Sequence, residues 1–464
     1  MIESIDRVVN AIGGFLYRPY IVPLFLIVAG LYFTIRTGLI QFRLFGESIR
    51  VVKEKPKEKG SISSFGALMV STASRVGTGN IVGVSTAICL GGFGAVFWMW
   101  VVALLGGASA FIESALAQVY KKKDGKGGCV GGPSYYMEQA LHQRWLGIVF
   151  AVVLILTYVV GFNMLAAYNL QDAFAGFGFY AKGRTPYIIG AILAVLFAAC
   201  VLGGGKRLTN ITGVLVPVMG LLYIVMSLVV VFMNIRIFPN VIANIFRDAF
   251  NFKAAFSGFT GSCIMWGIKR GLYSNEAGMG STPHAHAQAN VAHPHDQGVV
   301  AMAGVFIDTF VVLTLNALVI ISTLYTSDGP LHECGAAAAS TTLGKANLAQ
   351  TAFGTVFGES FGNIFVAICL FFFAFSTVLG WNLFGRINAN YLFGRKNKKL
   401  CNTIYTIIAL VFIFLGTLTG NDFVWELTDM FNNLIVLPNA LALFALTGMV
   451  VAMLKEGQQS KLKV

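Results

Sequence analysis

Long apolar runs separated by short charged stretches make up most of this chain. Runs near the length a helix needs to cross a bilayer, roughly 18–25 residues, fall at 19–36, 65–91, 93–119, 146–171, 186–205, 211–235, 254–285, 298–326, 360–385, 402–420 and 430–454. The pattern predicts an all-α polytopic membrane protein with eleven transmembrane helices. Residues 1–18 predict an amphipathic helix lying in the outer interface, and 43–54 a similar, basic one on the inner side. The stretch 327–359 is rich in Ala, Thr and Gly. Two readings stay open for it: a segment folded over an outer vestibule, or a plain connector.

Two of the apolar runs are poorly suited to a smooth helix. Within 65–91, the stretch Ser71–Gly83 holds Gly77 and Gly79 beside Arg75 and Asn80. Within 254–285, Gly267, Gly271, Gly278 and Gly280 accompany Lys269, Arg270 and Glu276. Gly weakens a helix interior by about 1 kcal/mol relative to Ala, and an ionisable side chain inside a membrane costs more. Close helix packing explains glycines, but not charges clustered beside them. With the first run set aside, ten remain, and the interrupted run leads each set of five. An odd number of spans per half gives the halves opposite orientation. Paired interruptions in matching positions point to a solute site between inverted repeats. The predicted organisation is an N-terminal region at 1–64, repeats at 65–250 and 251–454, and a tail at 455–464.

Composition agrees with a membrane protein. Charged residues are 11% of the chain and mean hydropathy is +0.74, whereas soluble domains carry about 25% charge. The net charge of +13 does not form a nucleic-acid patch, because the basic residues are distributed between spans. One set of alternate loops, with the C-terminal tail, holds 22 Lys and Arg, the other set with the N-terminus 8, and the spans 3. The excess places the N-terminus outside and the C-terminus in the cytoplasm, in a cytoplasmic (inner) membrane. Glu3, Asp6, Arg7 and Arg18 interrupt any signal-peptide core. The seven cysteines are scattered without a CxxC pair, so neither a disulfide framework nor a zinc site is predicted. His284, His286, His293 and His295 have poor spacing for a metal and are read as a solvated cytoplasmic turn. Gly77–Gly83 lacks the final spacing and parallel-sheet context of a dinucleotide loop.

Five ordered motifs then identify a resemblance. Arg75–Ile81 (Arg-Val-Gly-Thr-Gly-Asn-Ile), Gly94–Trp100, Gly131–Tyr136, Gly271–Gly280 and Phe375–Trp381 together resemble the sodium:alanine/glycine symporter family. The likeness runs from about residue 60 to 450. It implies a LeuT-type fold, a 5+5 inverted repeat preceded here by one extra helix. It also implies uptake of a small neutral amino acid, alanine or glycine, coupled to sodium, with no other cofactor and no obligatory protein partner. Glutamine or another neutral amino acid is the first rival solute; an ion channel is a more distant alternative, without need of paired breaks. An intramembrane hydrolase is disfavoured, since Glu113 and Asp308 stand isolated from any nucleophile–base spacing.

An amino-acid zwitterion has to find partners for both charges in a partly dry pocket. Amides opening the outer half-helix, around Thr78 and Gly79, suit its carboxylate. Asn80 offers a carbonyl oxygen to the ammonium group or a cation, or else caps the helix. Sodium needs several oxygens. By analogy with the LeuT-type fold, the Ser376 and Thr377 hydroxyls and the Phe373 carbonyl face the Ala73 and Val76 carbonyls; the alternative is back-bonding of both hydroxyls to their own helix. Trp381, one helical turn beyond Thr377, is placed to close the pocket, with an interface-belt role as the alternative. Tyr273 is placed to line the pocket, in competition with Trp266. Many relatives carry Gln where Ala166 stands, and Asn163, one turn earlier, is the candidate replacement. Arg75 has Glu113, Glu276 and Asp308 as candidate counter-ions, in a static or a switching pair.

Overall fold

A backbone in hydrocarbon has to satisfy its own hydrogen bonds, and the apolar runs accordingly fold as helices. The computed structural model describes all residues except 1, 18–20, 57–60, 125–127, 202–203, 252–262, 327–328, 332–346, 395–396 and 462–464. Among the described residues, seven helical stretches are long and apolar enough to cross a membrane: Gly94–Val119, Arg144–Asp172, Arg207–Met233, Pro294–Leu324, Glu359–Phe393, Lys398–Gly416 and Asp422–Lys455. Shorter apolar helices include Val22–Arg36, Gly79–Gly91 and Thr185–Val201. Among the described residues, the runs 19–36, 65–91 and 186–205 thus appear as helices under 18 residues. The run 254–285 appears as Cys263–Asn275 followed by non-helical backbone; its beginning lies outside the described residues.

Helix ends follow local chemistry. The Ser63 hydroxyl accepts from Gly66 N at 3.0 Å and starts Ser64–Arg75, while Asn397 caps Lys398–Gly416 through Leu400 N at 3.0 Å. Pro opens Pro133–Gln139, Pro283–His286 and Pro294–Phe306, a position where its missing N–H costs nothing. Gly92, at φ +83°, turns the chain into Gly94–Val119. Helices at Ile2–Tyr17 and Phe45–Lys53 coincide with the two amphipathic segments. In the stretch 327–359, a helix at Asn347–Phe357 packs along Glu359–Phe393. Gln350 Nε2 ties it to Ala173 O at 2.8 Å; residues 332–346 lie outside the described part.

The long helices surround the two interrupted segments. Pro294–Phe306 and Cys263–Asn275 both pack on Gly94–Val119, and Gly204–Met233 and Glu359–Phe393 pack on Ser64–Arg75. Leu, Val and Ile side chains on Lys398–Gly416 and Gly204–Met233 face outward, as lipid-facing positions do, whereas the helices around the breaks are buried. Gly267 and Gly271 differ from the expectation. Both lie inside the intact helix Cys263–Asn275. A Cβ at 267 would stand 2.5 Å from Trp98 Cβ, and one at 271 would be 3.3 Å from Met99 Cα. These two glycines serve close packing, and the break falls beyond them.

Candidate functional site

The first break is made by two diverted amides. In a continuous helix, Gly77 N would reach Ala73 O and Asn80 N would reach Val76 O. Here Gly77 N donates to Asn80 Oδ1 at 2.9 Å and Asn80 N to Gly77 O at 3.2 Å. The Ala73 and Val76 carbonyls therefore lose their regular helical donors. The chain resumes as a π-helical turn at Gly79–Gly83 and continues as Val84–Gly91. Asn80 Nδ2 donates to Asp308 Oδ1 at 2.7 Å and Asp308 O at 3.3 Å. Both ends of the Asn80 amide are thus engaged by the protein, the capping alternative. Thr78 Oγ1 is buried and faces the Tyr273 hydroxyl.

The second break is longer. Glu276 (φ +51°), Gly278 (+78°) and Gly280 (+83°) adopt left-handed backbone, which ends Cys263–Asn275 because such angles cannot continue a helix. The freed amides of Gly278 and Gly280 donate to Glu113 at 3.3 and 3.0 Å. Asn439 Nδ2 adds a third donor to Glu113 at 3.0 Å. Glu276 itself accepts from Trp381 Nε1 at 2.5 Å, Ser281 Oγ at 2.8 Å and Ser74 Oγ at 3.0 Å. Asp308 accepts from Asn80, from Ser274 Oγ at 3.0 Å and from Thr309 Oγ1 at 3.0 Å. Each buried carboxylate is held by neutral donors, which offsets desolvation. All three act on Arg75 through space, without a direct ion-pair contact among the described residues. Its Nη1 donates to Ala301 O at 3.2 Å and its Nη2 to Thr282 Oγ1 at 2.8 Å.

The two breaks and the 359–393 helix meet at glycines. A Cβ on Gly79 would lie 2.9 Å from Tyr273 Cε1, and one on Gly380 3.1 Å from Ser74 Cβ. A Cβ on Gly77 would collide with the Thr377 hydroxyl. Thr78, Gly79 and Tyr273 are thereby brought together, as are Gly77 and Thr377. Both hydroxyls of the Ser376–Thr377 pair bond to Phe373 O, at 3.0 and 2.6 Å, the back-bonding alternative, and Ser376 Oγ also reaches Met219 Sδ at 3.5 Å. Trp381 is buried, not at an interface. Its ring packs 4.8 Å from Phe162, which stands 5.1 Å from Tyr273, itself 5.6 Å from Trp425. Trp266 stands apart, against Gly91, so Tyr273 is the aromatic at the junction. Its hydroxyl pairs with Thr78, and that of Tyr158, beside Trp381, pairs with Ser281. Asn163 is occupied elsewhere: it forms a reciprocal amide pair with Asn382 at 2.9 and 3.3 Å, and Tyr405 OH joins at 3.1 Å.

Comparison with known proteins decides the family. The profile of the sodium:alanine symporter family matches residues 2–463. The chain belongs to that family. It is 40% identical to the amino-acid carrier protein AlsT of Bacillus subtilis over 93% of this chain and 88% of the relative. It is 38% identical to the sodium/alanine symporter AgcS of Methanococcus maripaludis, over 96% and 95%. It is also 38% identical to the probable sodium/glutamine symporter GlnT of Bacillus subtilis, over 99% and 92%. The crystal structure of MhsT in complex with L-phenylalanine superposes with a TM-score of 0.59 at 13% identity, covering 85% of this chain and 90% of that one. The fold is therefore the mostly helical, LeuT-type fold of MhsT. As a sodium:alanine symporter family member, the protein is a multi-pass membrane symporter and not an enzyme.

Several features of this symporter were not visible as motifs. Lys269 Nζ and Arg270 Nη2 converge on Asp429 Oδ2 at 2.6 and 3.0 Å, and Arg270 Nη1 reaches Oδ1 at 3.1 Å. The Arg270 guanidinium lies 4.0 Å from the Trp425 ring centroid. Asp429 falls in a stretch expected to be a loop, yet it is helical. π-helical turns at Leu156–Phe162 and Ile307–Leu313 carry Tyr158, Phe162 and Asp308 into the junction; such turns concentrate at functional sites. The solvated reading of the first two histidines is corrected. His284 and His286 are fully buried. His284 Nδ1 contacts Ser281 O at 2.7 Å and its Nε2 Asn388 Nδ2 at 2.7 Å, while His286 Nδ1 contacts Gln297 Oε1 at 2.9 Å. Protein groups take three of the four ring nitrogens, Asn388 from 104 residues away.

Proposed function

We propose that this protein imports alanine or glycine together with sodium by alternating access, without covalent chemistry. The observation that carries the reading is the pair of diverted amides, Gly77 N to Asn80 Oδ1 and Asn80 N to Gly77 O. They leave Ala73 and Val76 carbonyls free of their helical donors beside Thr377. Carbonyls and a hydroxyl suit a hard cation. We assign sodium to Ala73, Val76, Phe373, Ser376 and Thr377, with the two hydroxyls turning from Phe373 O on binding. The solute carboxylate is assigned to the Thr78–Gly79 opening of the half-helix, with Asn80 between the two tasks. The paired Thr78 and Tyr273 hydroxyls favour a polar occupant there. Trp381 and Tyr273 form the aromatic wall, and Asn163 acts through Asn382 as a positioning residue.

The proposed architecture is eleven spans, two inverted repeats of five at 65–250 and 251–454 behind one extra helix, with regions at 1–64 and 455–464 outside the repeats. Lys and Arg distribution favours an external N-terminus and a cytoplasmic C-terminus in an inner membrane. Glutamine is the second reading, favoured by the 38% identity to a probable sodium/glutamine symporter. A competition panel of the twenty amino acids against labelled alanine in proteoliposomes separates them. Alanine and glycine as the strongest competitors support the main reading; glutamine outcompeting both transfers the assignment to the second.

A further inference from the structure

A cluster of metal-ligating side chains lies well away from the two breaks. Glu47 sits on the amphipathic helix Phe45–Lys53, and His295 and Asp296 open Pro294–Phe306. One ligand atom from each falls within 4.8 Å of the others. His295 Nε2 is 3.4 Å from Asp296 Oδ1 and 3.9 Å from Glu47 Oε1. The three side chains are only 14, 4 and 15% exposed respectively. Tetrahedral zinc with bonds of about 2.0–2.1 Å separates its ligands by roughly 3.3–3.4 Å. The His295–Asp296 spacing already matches that, and Glu47 has to move inward by about half an ångström or more to complete the set. One imidazole nitrogen with two carboxylates also matches a borderline transition metal better than calcium, which takes six or more oxygens.

Two converging carboxylates repel unless a positive charge lies between them, a charge that either a protonated His295 or a bound cation supplies. Arg50 meets Glu47 Oε1 at 2.6 Å from the exposed side, and Asp296 Oδ2 accepts from His293 N at 3.0 Å in a capping box, so Asp296 meets His295 through Oδ1. The cluster joins two elements that also touch through Phe45 and Phe306, whose rings lie 4.8 Å apart. Its neighbour in sequence, Gln297, reaches both interrupted segments. Gln297 Nε2 donates to Ser64 Oγ at 2.9 Å, at the start of the first, and Gln297 Oε1 meets His286 Nδ1 at 2.9 Å, at the end of the second. An ion held at Glu47, His295 and Asp296 therefore fixes the point at which the amphipathic helix and both broken segments join.

We propose that Glu47, His295 and Asp296 form a regulatory site for a divalent transition-metal ion of the zinc class, whose binding slows transport by pinning these elements together. The site is distinct from the proposed sodium site, and its binding test does not depend on the solute assignment. Zinc chloride is titrated into purified full-length protein by calorimetry, in parallel with Glu47→Gln and His295→Gln, which alter two different elements. The wild type is expected to bind one zinc that each variant binds at least about tenfold more weakly, the scale of losing a metal-site partner, while calcium does not compete. Superimposable isotherms for wild type and variants, or no zinc binding by the wild type, overturn the site. Uptake in proteoliposomes tests regulation: zinc is expected to slow the wild type severalfold relative to chelator and leave both variants unchanged. Equal slowing in all three, or none in the wild type, overturns the regulatory role. Zinc-free uptake by each variant reports that it is folded.

Discussion

Gly77 and Thr377 are in such close contact that no side chain fits between them: a Cβ at 77 would collide with the Thr377 hydroxyl. The contact joins the first break to the helix Glu359–Phe393 at the point where the Ala73 and Val76 carbonyls lose their helical donors. Overpacking here costs about 1–3 kcal/mol. Gly77→Ala is expected to abolish sodium-dependent uptake. Thr377→Ala is expected to keep the protein folded while raising the sodium concentration for half-maximal uptake about tenfold, as for loss of roughly 1.4 kcal/mol of cation binding. The double variant relieves the clash, so its melting temperature returns towards that of Thr377→Ala while sodium affinity stays low. An unchanged sodium dependence in Thr377→Ala removes that hydroxyl from the cation site.

Trp381 binds the Glu276 carboxylate through its indole N–H. Trp381→Phe keeps the aromatic wall and removes that donor, leaving a buried acceptor short of a partner at a cost of about 1–3 kcal/mol. Initial uptake rates at fixed sodium are expected to fall about fivefold to a hundredfold, with normal elution on size exclusion. Wild-type uptake by Trp381→Phe would show that the bond to Glu276 has no part in transport.

Asp429 pairs with both Lys269 and Arg270 in a largely buried setting. Removing one member of such a group leaves uncompensated charge, at a cost of about 3–5 kcal/mol. Asp429→Asn is expected to lower the melting temperature in a thermal-shift assay, and a variant that also carries Lys269→Met and Arg270→Met is expected to recover part of the loss. No change in melting temperature for Asp429→Asn contradicts a stabilising role.

Ala166 is fully buried in the segment that also carries Asn163. Ala166→Gln is expected to change the rank order of amino-acid competitors, with longer polar side chains losing most, because the added amide fills space beside the proposed pocket. Asn163→Ala is expected to lower the maximal rate more than it alters that ranking, since Asn163 binds Asn382. An identical ranking for Ala166→Gln places residue 166 outside the pocket.

The breaks were legible because glycine and charge in an apolar run are expensive unless used. Their limits were less so. Gly267 and Gly271 looked like breakers and are packing residues, because a glycine inside a helix carries the same letter whichever role it has. The π-helical turns were invisible, since one extra residue per turn changes neither composition nor mean hydropathy. Arg75 lies within electrostatic reach of Glu113, Glu276 and Asp308, and its direct hydrogen bonds go to the Ala301 carbonyl and Thr282. Backbone acceptors leave no signature in side-chain pattern. The same limit hid His284, whose partner Asn388 lies 104 residues away, and Asp429, whose pairing depends on tertiary contact with Arg270.

The most direct test of the account is accumulation of labelled alanine and glycine by the purified protein in liposomes, with an inward sodium gradient or with choline in its place. Sodium-coupled symport gives transient accumulation above the external concentration with sodium, and equilibration at most without it. Equal uptake in sodium and choline would contradict it.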